Sequence, residues 1–381
     1  MSKKTIARIF LVALFLGLGT IAYSDEGDVL ATRPPSSTLD LAIHSSDYIL
    51  IGHVSADEMV EVVAAQDESR NPHHRARISV ILPIKGKPPK ELVIEYDEYQ
   101  GGRINHLYPG LDFLVFLNRN AEGWLLAEGN DPFRLALSHW PGSFPAEAES
   151  GERVRMVLRE SLRNGPPLMK MFMLDHLAAL GDKASIPLIR SVMRSPGFEF
   201  QPQALNALIR LGDAQAVVEG IAAIEQKSKQ KPPDRSWSDW IGPALSDIRD
   251  PEALPHLIRA LRVDDVPLRK GAVYALREIR SRAAVPALVA ALDDAEEFVR
   301  YQALMALYFI AKEDGPRGAP AIDEFQANPG RYLDYWHRWW RDKGSTMNWE
   351  PPATGPAVAT RPTWKIEFAL PPTRPASRPS P

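Results

Sequence analysis

Ala253-Leu254-Pro255-His256-Leu257-Ile258-Arg259-Ala260-Leu261 returns as Ala284-Val285-Pro286-Ala287-Leu288-Val289-Ala290-Ala291-Leu292, each matched pair lying 31 residues apart. The same step carries Leu268, Arg269, Ala272, Ala275, Leu276 and Ile279 onto Val299, Arg300, Ala303, Ala306, Leu307 and Ile310. Self-similarity at such a period means stacked supersecondary units, because one helix pair cannot bury its apolar face alone and needs a neighbour on each side. Leu268, Ala272, Ala275, Leu276 and Ile279 also form one apolar stripe at helical spacing, and the alanines allow close approach of a second helix.

The register extends backwards. Leu180-Gly181-Asp182 lands on Leu211-Gly212-Asp213, and Ala244-Leu245 lands on Ala275-Leu276. From Pro187 to Pro255 the count is two periods plus six residues, and the surplus is assigned to the polar stretch 226–235 (QKSKQKPPDR). Its two prolines do not suit a helix interior, and a surface insertion there costs little loop entropy. Pro187, Pro255 and Pro286 sit just inside the start of a first helix, and Gly181 and Gly212 follow apolar runs as helix-ending glycines do. The reading is about five helix pairs over residues 152–311.

The helix-opening proline, the Asp293-Asp294 turn and Val299-Arg300 with Ala303, Ala306-Leu307 and Ile310 resemble the HEAT-repeat family, in particular its short bacterial form related to phycobilisome-lyase HEAT-like units. The resemblance implies a curved surface lined by second helices and used for protein binding rather than for a reaction. The candidate binding residues are Lys270, Tyr274 and Arg277 with their counterparts Tyr301, Met305 and Tyr308, aromatic and arginine side chains being enriched at interface centres. The alternative is a mixed surface, or tyrosines packed on the next unit. Arg269 and Arg300, also in register, are assigned to hydrogen bonds with inter-helix turns.

Residues 38–144 read differently. After a short helical segment at 39–44 come DYILIGHV (47–54), RISVILPI (77–84), ELVIEY (91–96), LDFLVFL (111–117) and GWLLAE (123–128), each bounded by turn-forming residues. In the second, Ile78, Val80, Leu82 and Ile84 share the buried face. Five such strands predict a small barrel or curled sheet. Ser46-Asp47-Tyr48, Gly52-His53-Val54, Lys85-Gly86 and Pro109-Gly110 before Phe113-Leu114-Val115-Phe116-Leu117 resemble bacterial relatives of the netrin-like, OB-type barrel, also seen in tissue inhibitors of metalloproteinases. Those inhibitors engage zinc through an N-terminal cysteine, which this chain lacks, so that mechanism does not carry over.

Lys3, Lys4 and Arg8 precede the apolar run 9–21, and Ala22-Tyr23-Ser24 supplies small residues where a signal peptidase needs them. A signal peptide cleaved after Ser24 and a secreted or periplasmic location are expected; a membrane anchor is the alternative, although the run is short for a span. The chain has 0 Cys, which excludes a disulfide scaffold, a lipobox anchor and thiol catalysis. Formal net charge of −3 gives no general pull toward nucleic acid.

Chemical motifs are sparse. His73-His74 is read as part of a polar loop rather than a metal site, and Glu95, Asp97 and Glu98 as solvated charges, lacking the spacing of a calcium loop. Tyr99-Gln100-Gly101-Gly102-Arg103 fits a turn, not a phosphate cradle. No HExxH or GxSxG occurs, no triad can be nominated, and no cofactor is expected.

Tyr332, Trp336, Trp339 and Trp340 fall on one side of a helix in RYLDYWHRWWR (331–341), fitting a cap on the open end of the stack; an aromatic ligand platform is the alternative. The tail from 351 is rich in proline, yet its residues 364–370 (WKIEFAL) alternate with period two and are candidates for strand addition to a sheet edge.

The expected fold is α+β and multidomain, a small antiparallel β-barrel-like domain followed by an all-α HEAT-type solenoid. Its divisions are a signal peptide (1–24), a linker (25–37), the β domain (38–145), the solenoid (150–312), an aromatic cap (313–349) and the tail (350–381). The expected role is an exported scaffold for protein partners without a stable membrane span. The alternative is an envelope enzyme or ligand-binding protein with its site in the β domain or the groove between domains.

Overall fold

The computed structural model describes residues 38–64, 70–97, 99–100, 103–104, 107–119, 124–126, 134–230, 236–311 and 318–349. The expected signal peptide, linker and tail lie outside the described residues, as do Glu98, Gly101 and Gly102.

A short helix α1 (Thr38–Ser45) leads into β1 (Tyr48–Ala64), β2 (Arg70–Lys85) and β3 (Glu91–Asp97), then the two-residue pieces β4 (Tyr99–Gln100) and β5 (Arg103–Ile104), which pair with each other. β6 (Asp112–Arg119), β7 (Trp124–Leu126) and β8 (Arg134–Leu137) follow. β1 pairs with β2, β2 with β3, β3 with β7, β7 with β6, and β6 again with β1, so five strands close into a ring; β8 adds to β6. The ring is not wholly antiparallel, as the sequence led us to expect: Ile94 and Glu95 of β3 face Trp124 and Leu125 of β7 in parallel.

β1 and β2 also run well past the expected strands, taking in SADEMVEVVA and RNPHHRA. His73 and His74 therefore lie in strand β2, not in a loop, with backbone partners on both β1 and β3. Cross-strand pairing satisfies the backbone whatever the side chains, and a hydrophobicity pattern does not register that.

The two faces of the barrel strands serve two cores. Leu50, Ile78, Ile94, Phe113, Val115 and Leu117 pack inside the ring. Ile49, Ile51, Ile84, Leu114 and Phe116 point outward and join α1 and the first repeat helix in a second core. In β2 the expected common face divides in two. Ile78 and Val80 turn into the ring, whereas Leu82 and Ile84 turn to the helices. The ladder slips between Ile51↔Leu82 and Gly52↔Val80, leaving Ile81 as the extra residue, 43% exposed.

The helical half is a row of pairs: α2 (Ser150–Asn164) with α3 (Pro167–Ala179), α4 (Ile186–Met193) with α5 (Gln201–Arg210), α6 (Ala214–Ser228) with α7 (Ser238–Ser246), α8 (Leu254–Ala260) with α9 (Val266–Ile279), and α10 (Val285–Ala290) with α11 (Glu297–Ala311). The second helices α3, α5, α7, α9 and α11 pack one on the next. Their stripe is fully buried at Leu268, Ala272, Ala275, Leu276, Val299, Ala303, Ala306 and Leu307. Pro187, Pro255 and Pro286 each occupy the first turn of a first helix. Gly181 and Gly212 end α3 and α5 with φ of 62° and 86°, the left-handed conformation that glycine adopts without strain. Part of the six-residue surplus, residues 226–228, proves helical: it lengthens α6 to 15 residues, against 8 in α4 and 7 in α8.

Beyond the last pair, α12 (Ile322–Ala327) and α13 (Pro329–Asp342) lie across the end of the stack. Phe325, Tyr332, Trp336 and Trp339 are buried there, and Trp340 is half-buried.

At the tightest helix contact, a Cβ on Gly271 of α9 would stand 1.9 Å from the backbone oxygen of Gly242 in α7. Gly271→Ala is thus expected to lower stability by roughly 1–3 kcal/mol, the range for overpacking. Gly330 in the first turn of α13 has open space around its Cβ position, and Gly330→Ala is expected to raise stability by about 0.5–1 kcal/mol. Denaturant unfolding of both variants checks the opposite signs.

Candidate protein-binding surface

Two arginine–aspartate rungs tie successive units together. Arg159 of α2 donates from Nε and Nη2 to Asp182 at 2.8 and 2.5 Å, and Arg190 of α4 does the same to Asp213 at 2.9 and 2.8 Å. Both partners recur at the 31-residue step, so the rungs are part of the repeat. Burial pushes the Asp182 carboxyl up, but the bonds from Arg159 and Ser185 outweigh it and hold the group below the ordinary aspartate value. Asp213 is lowered in the same way, with Arg190 and the Ala216 amide opposing burial. Arg269 reaches Asp294 at 2.8 Å, and Arg300 donates to the carbonyls of Asp294 and Ala295, both at 2.8 Å; these two arginines do hold the inter-helix turns.

The six candidate side chains divide by position. Lys270 Nζ lies 3.4 Å from Glu296 and 5.9 Å from the centre of the Phe298 ring, so it leans on the next unit. Arg277 also reaches forward, donating to Gln302 Oε1 at 2.5 Å, while its guanidinium lies 4.4 Å from the centre of the Tyr274 ring. All three stay half-exposed. One unit later the cap covers the equivalent places. Tyr301 packs on Phe325 at 5.4 Å and donates to the Pro320 carbonyl at 3.2 Å; burial raises its phenol pKa. Tyr308 meets Trp336 edge-on at 5.1 Å, and burial pushes its phenol up to about 12. Met305 is half-buried against the core. The structure therefore places Arg277 against Tyr274, leans Lys270 on Glu296 and Phe298 of the next unit, and draws Tyr301 and Tyr308 into the packing of the terminal helices.

Sequence reasoning overlooked part of this row. Leu168, Met169 and Met171 of α3 are half-exposed. The available signal was a second helix, PLMKMFMLDHLAA, apolar almost all round, since such a helix has apolar side chains left over after filling its share of the core.

In the barrel, Asp57 accepts from His74 Nδ1 at 2.9 Å and from the Tyr96 hydroxyl at 2.8 Å, and Tyr96 in turn accepts from the Leu107 amide at 3.0 Å. Asp57 belongs to β1, His74 to β2 and Tyr96 to β3, so one buried carboxylate pins three strands. His73 faces Glu95 at 3.5 Å, and Glu95 takes Arg75 at 2.6 and 2.8 Å. Those Arg75 bonds are the main cause that holds the Glu95 carboxyl below its ordinary value. Glu95 is thus an exposed charge, as expected, that is also ion-paired with Arg75 on the neighbouring strand. No cluster of three or more potential metal ligands occurs among the described residues.

Residues 240–308 and 264–328 match the HEAT repeats family, spanning α7 to α12. The fold is that of HEAT-type helix pairs carrying a β domain at their N-terminal end. Among solved structures, the complex of CpcE and CpcF of phycocyanin lyase from Nostoc sp. PCC7120 is 20% identical, with 45% of this chain and 70% of that chain covered and a TM-score of 0.32. Human deoxyhypusine hydroxylase is 21% identical, covering 48% of this chain and 70% of that chain at a TM-score of 0.21. An engineered protein is 19% identical over 49% of this chain and 89% of its own, at 0.29. No curated protein matches.

A carboxyl whose folded pKa lies below its unfolded one adds stability above the unfolded value, near 3.9 for aspartate, and loses it as pH falls through the folded value. Asp182→Asn is therefore expected to lower Tm at pH 7, with the deficit shrinking below about pH 3. Thermal unfolding of both proteins across that range measures it.

Proposed function

We propose that this protein is an exported scaffold that holds protein partners on the second-helix row of its HEAT repeats, and that it carries out no catalysis of its own. The observation carrying this reading is the half-exposed group formed by Lys270, Tyr274 and Arg277, in which the arginine lies over the tyrosine on α9, the fourth of the five second helices. A guanidinium held flat on an aromatic ring offers a partner both charge and apolar area, with little side-chain entropy left to lose. Half-exposed Leu168, Met169 and Met171 add adaptable apolar surface on the same row.

The N-terminal ring fits a netrin-like, OB-type barrel. The support is its strand order, in which the third and fifth strands of the ring run parallel while every other neighbour is antiparallel. On this reading the barrel is a second binding module at one end of the solenoid. Export rests on the amino-terminal pattern of Lys3, Lys4 and Arg8, the apolar run and Ala22-Tyr23-Ser24. The mature chain is then expected to begin at Asp25, and amino-terminal sequencing of protein from the envelope or medium tests this.

The binding reading is tested by affinity capture from that fraction with the wild type and with the Lys270→Ala/Tyr274→Ala/Arg277→Ala variant. Partner recovery is expected to fall at least tenfold, about 1.4 kcal/mol. Because Lys270 and Arg277 also contact the next unit, the comparison is made well below the variant's Tm, and Tyr274→Ala alone is expected to lower recovery with a smaller change in Tm. Tyr301→Ala, by contrast, is expected to lower Tm because it opens the cap. Equal recovery with the triple variant rejects the surface.

A further inference from the structure

The turns that end α3, α5 and α7 line a cleft of about 230 Å³. Its floor is apolar, with Leu211, Val217 and Ile248 lining it and otherwise buried. Gly212 brings no side chain to this space, and no atom lies within 4 Å of where its Cβ would stand. Two units on, the left-handed residue that ends α9 is Arg280, with φ of 55° against 86° at Gly212, and its guanidinium lies 4.7 Å from the centre of the Phe309 ring. A long side chain thus occupies the edge at α9, whereas the edge at α5 is left open.

Volume limits what can enter. A cavity of about 150 Å³ takes up benzene, so the cleft admits one side chain the size of leucine or phenylalanine, and a helix of roughly 10–12 Å diameter does not fit. Pockets for free small molecules run to about 300–1,000 Å³, above this volume, which favours a side chain presented by a larger partner.

Most charges around the cleft are engaged. Arg210 donates to Asp175 at 2.6 Å, Arg249 donates to the Ser246 and Ile248 carbonyls, and Asp250 accepts from the Glu252 amide at 2.9 Å. Lys183 and Asp247 differ: both line the cleft and are exposed, and neither has a side-chain partner among the described residues. Lys183 belongs to the turn one unit before Gly212 and Asp247 to the turn one unit after it. The cleft therefore offers one positive and one negative group about an apolar floor.

We propose that this cleft is a second recognition point, taking an extended segment of a protein partner in which one large apolar side chain is flanked by an acidic residue, read by Lys183, and a basic residue, read by Asp247. It is built from inter-unit turns, apart from Lys270, Tyr274 and Arg277 on α9. That the occupant belongs to a protein rests on the scaffold reading above; the charge pattern rests on the cleft alone.

Methyl NMR on the full-length protein tests this with acetyl-Asp-Leu-Lys-amide, acetyl-Lys-Leu-Lys-amide, acetyl-Asp-Leu-Asp-amide and free leucine. The mixed peptide is expected to shift the Leu211, Val217 and Ile248 methyls saturably and to bind about threefold more tightly than either like-charged peptide, the scale of one exposed ion pair. Lys183→Glu is expected to move the preference to the Lys-Leu-Lys peptide. Ala214→Trp, at an exposed lining position in the first turn of α6, is expected to abolish the shifts with Tm unchanged. Absent shifts, equal binding of all three peptides, or an unchanged preference in Lys183→Glu overturns the proposal. Tighter binding of free leucine than of the mixed peptide assigns the cleft to a small zwitterion and overturns the segment. No partner protein enters the measurement, so its result is independent of whether the second-helix row binds one.

Discussion

The second helices have to come close enough for their backbones to touch. Gly271 of α9 lies against the Gly242 carbonyl of α7, and Ala272, Ala275, Ala303 and Ala306 carry the same closeness along the row with fully buried methyl groups. A stack built on small residues gains little apolar area per side chain, so it depends on fit over many contacts. Everything else in the helical half follows from that spacing. The arginine–aspartate rungs span the distance between one first helix and the next turn only because the units repeat at a fixed separation. The same regularity leaves an apolar end at α11 that has to be covered.

The barrel obeys a related constraint. Its strands β1 and β6 are buried on both faces, with Leu50, Val115 and Leu117 inside the ring and Ile49, Ile51, Leu114 and Phe116 against helices α1 and α2. A sheet with one wet face would alternate polar and apolar residues; DYILIGHV and LDFLVFL instead read as continuous apolar runs. Lys85 fastens the junction by donating to the C-terminal carbonyls of α1, at Ile43 and His44, at 3.1 and 3.0 Å. The β domain and the first helix pair thus share one core.

How much of this was legible depended on whether the deciding force was local. The helix pairs could be read because proline at a helix start, glycine at its end and a buried stripe each follow from short-range geometry, and a 31-residue echo multiplies the signal. Barrel strands were legible where both faces are apolar. The outer parts of β1 and β2, the short β8 and the parallel contact of β7 with β3 were not, since each is decided by a distant partner that supplies its backbone bonds. His73 and His74 show the point: beside Asn71 and Pro72 they look like loop residues, and it is backbone pairing with β1 and β3, joined by side-chain partners such as Asp57 and Glu95, that places them in a sheet.

The candidate surface was harder still, because repeat register fixes direction but not exposure. Lys270 and Tyr301 occupy equivalent places, as do Arg277 and Tyr308, and in both units these side chains point toward what comes next in the stack. Inside the array the next element is another helix pair with polar groups at Glu296 and Gln302, so a charged side chain fits and stays half-exposed. At the end the next element is an aromatic cap, and the equivalent positions are tyrosines whose phenols are pushed up by burial. One structural task, contact with the following unit, is thus met by charge in the interior and by aromatic area at the terminus. The middle position, Tyr274 and Met305, is less bound to that task. Tyr274 is half-buried with the Arg277 guanidinium 4.4 Å from its ring centre, and its side chain is not the one that reaches the following unit.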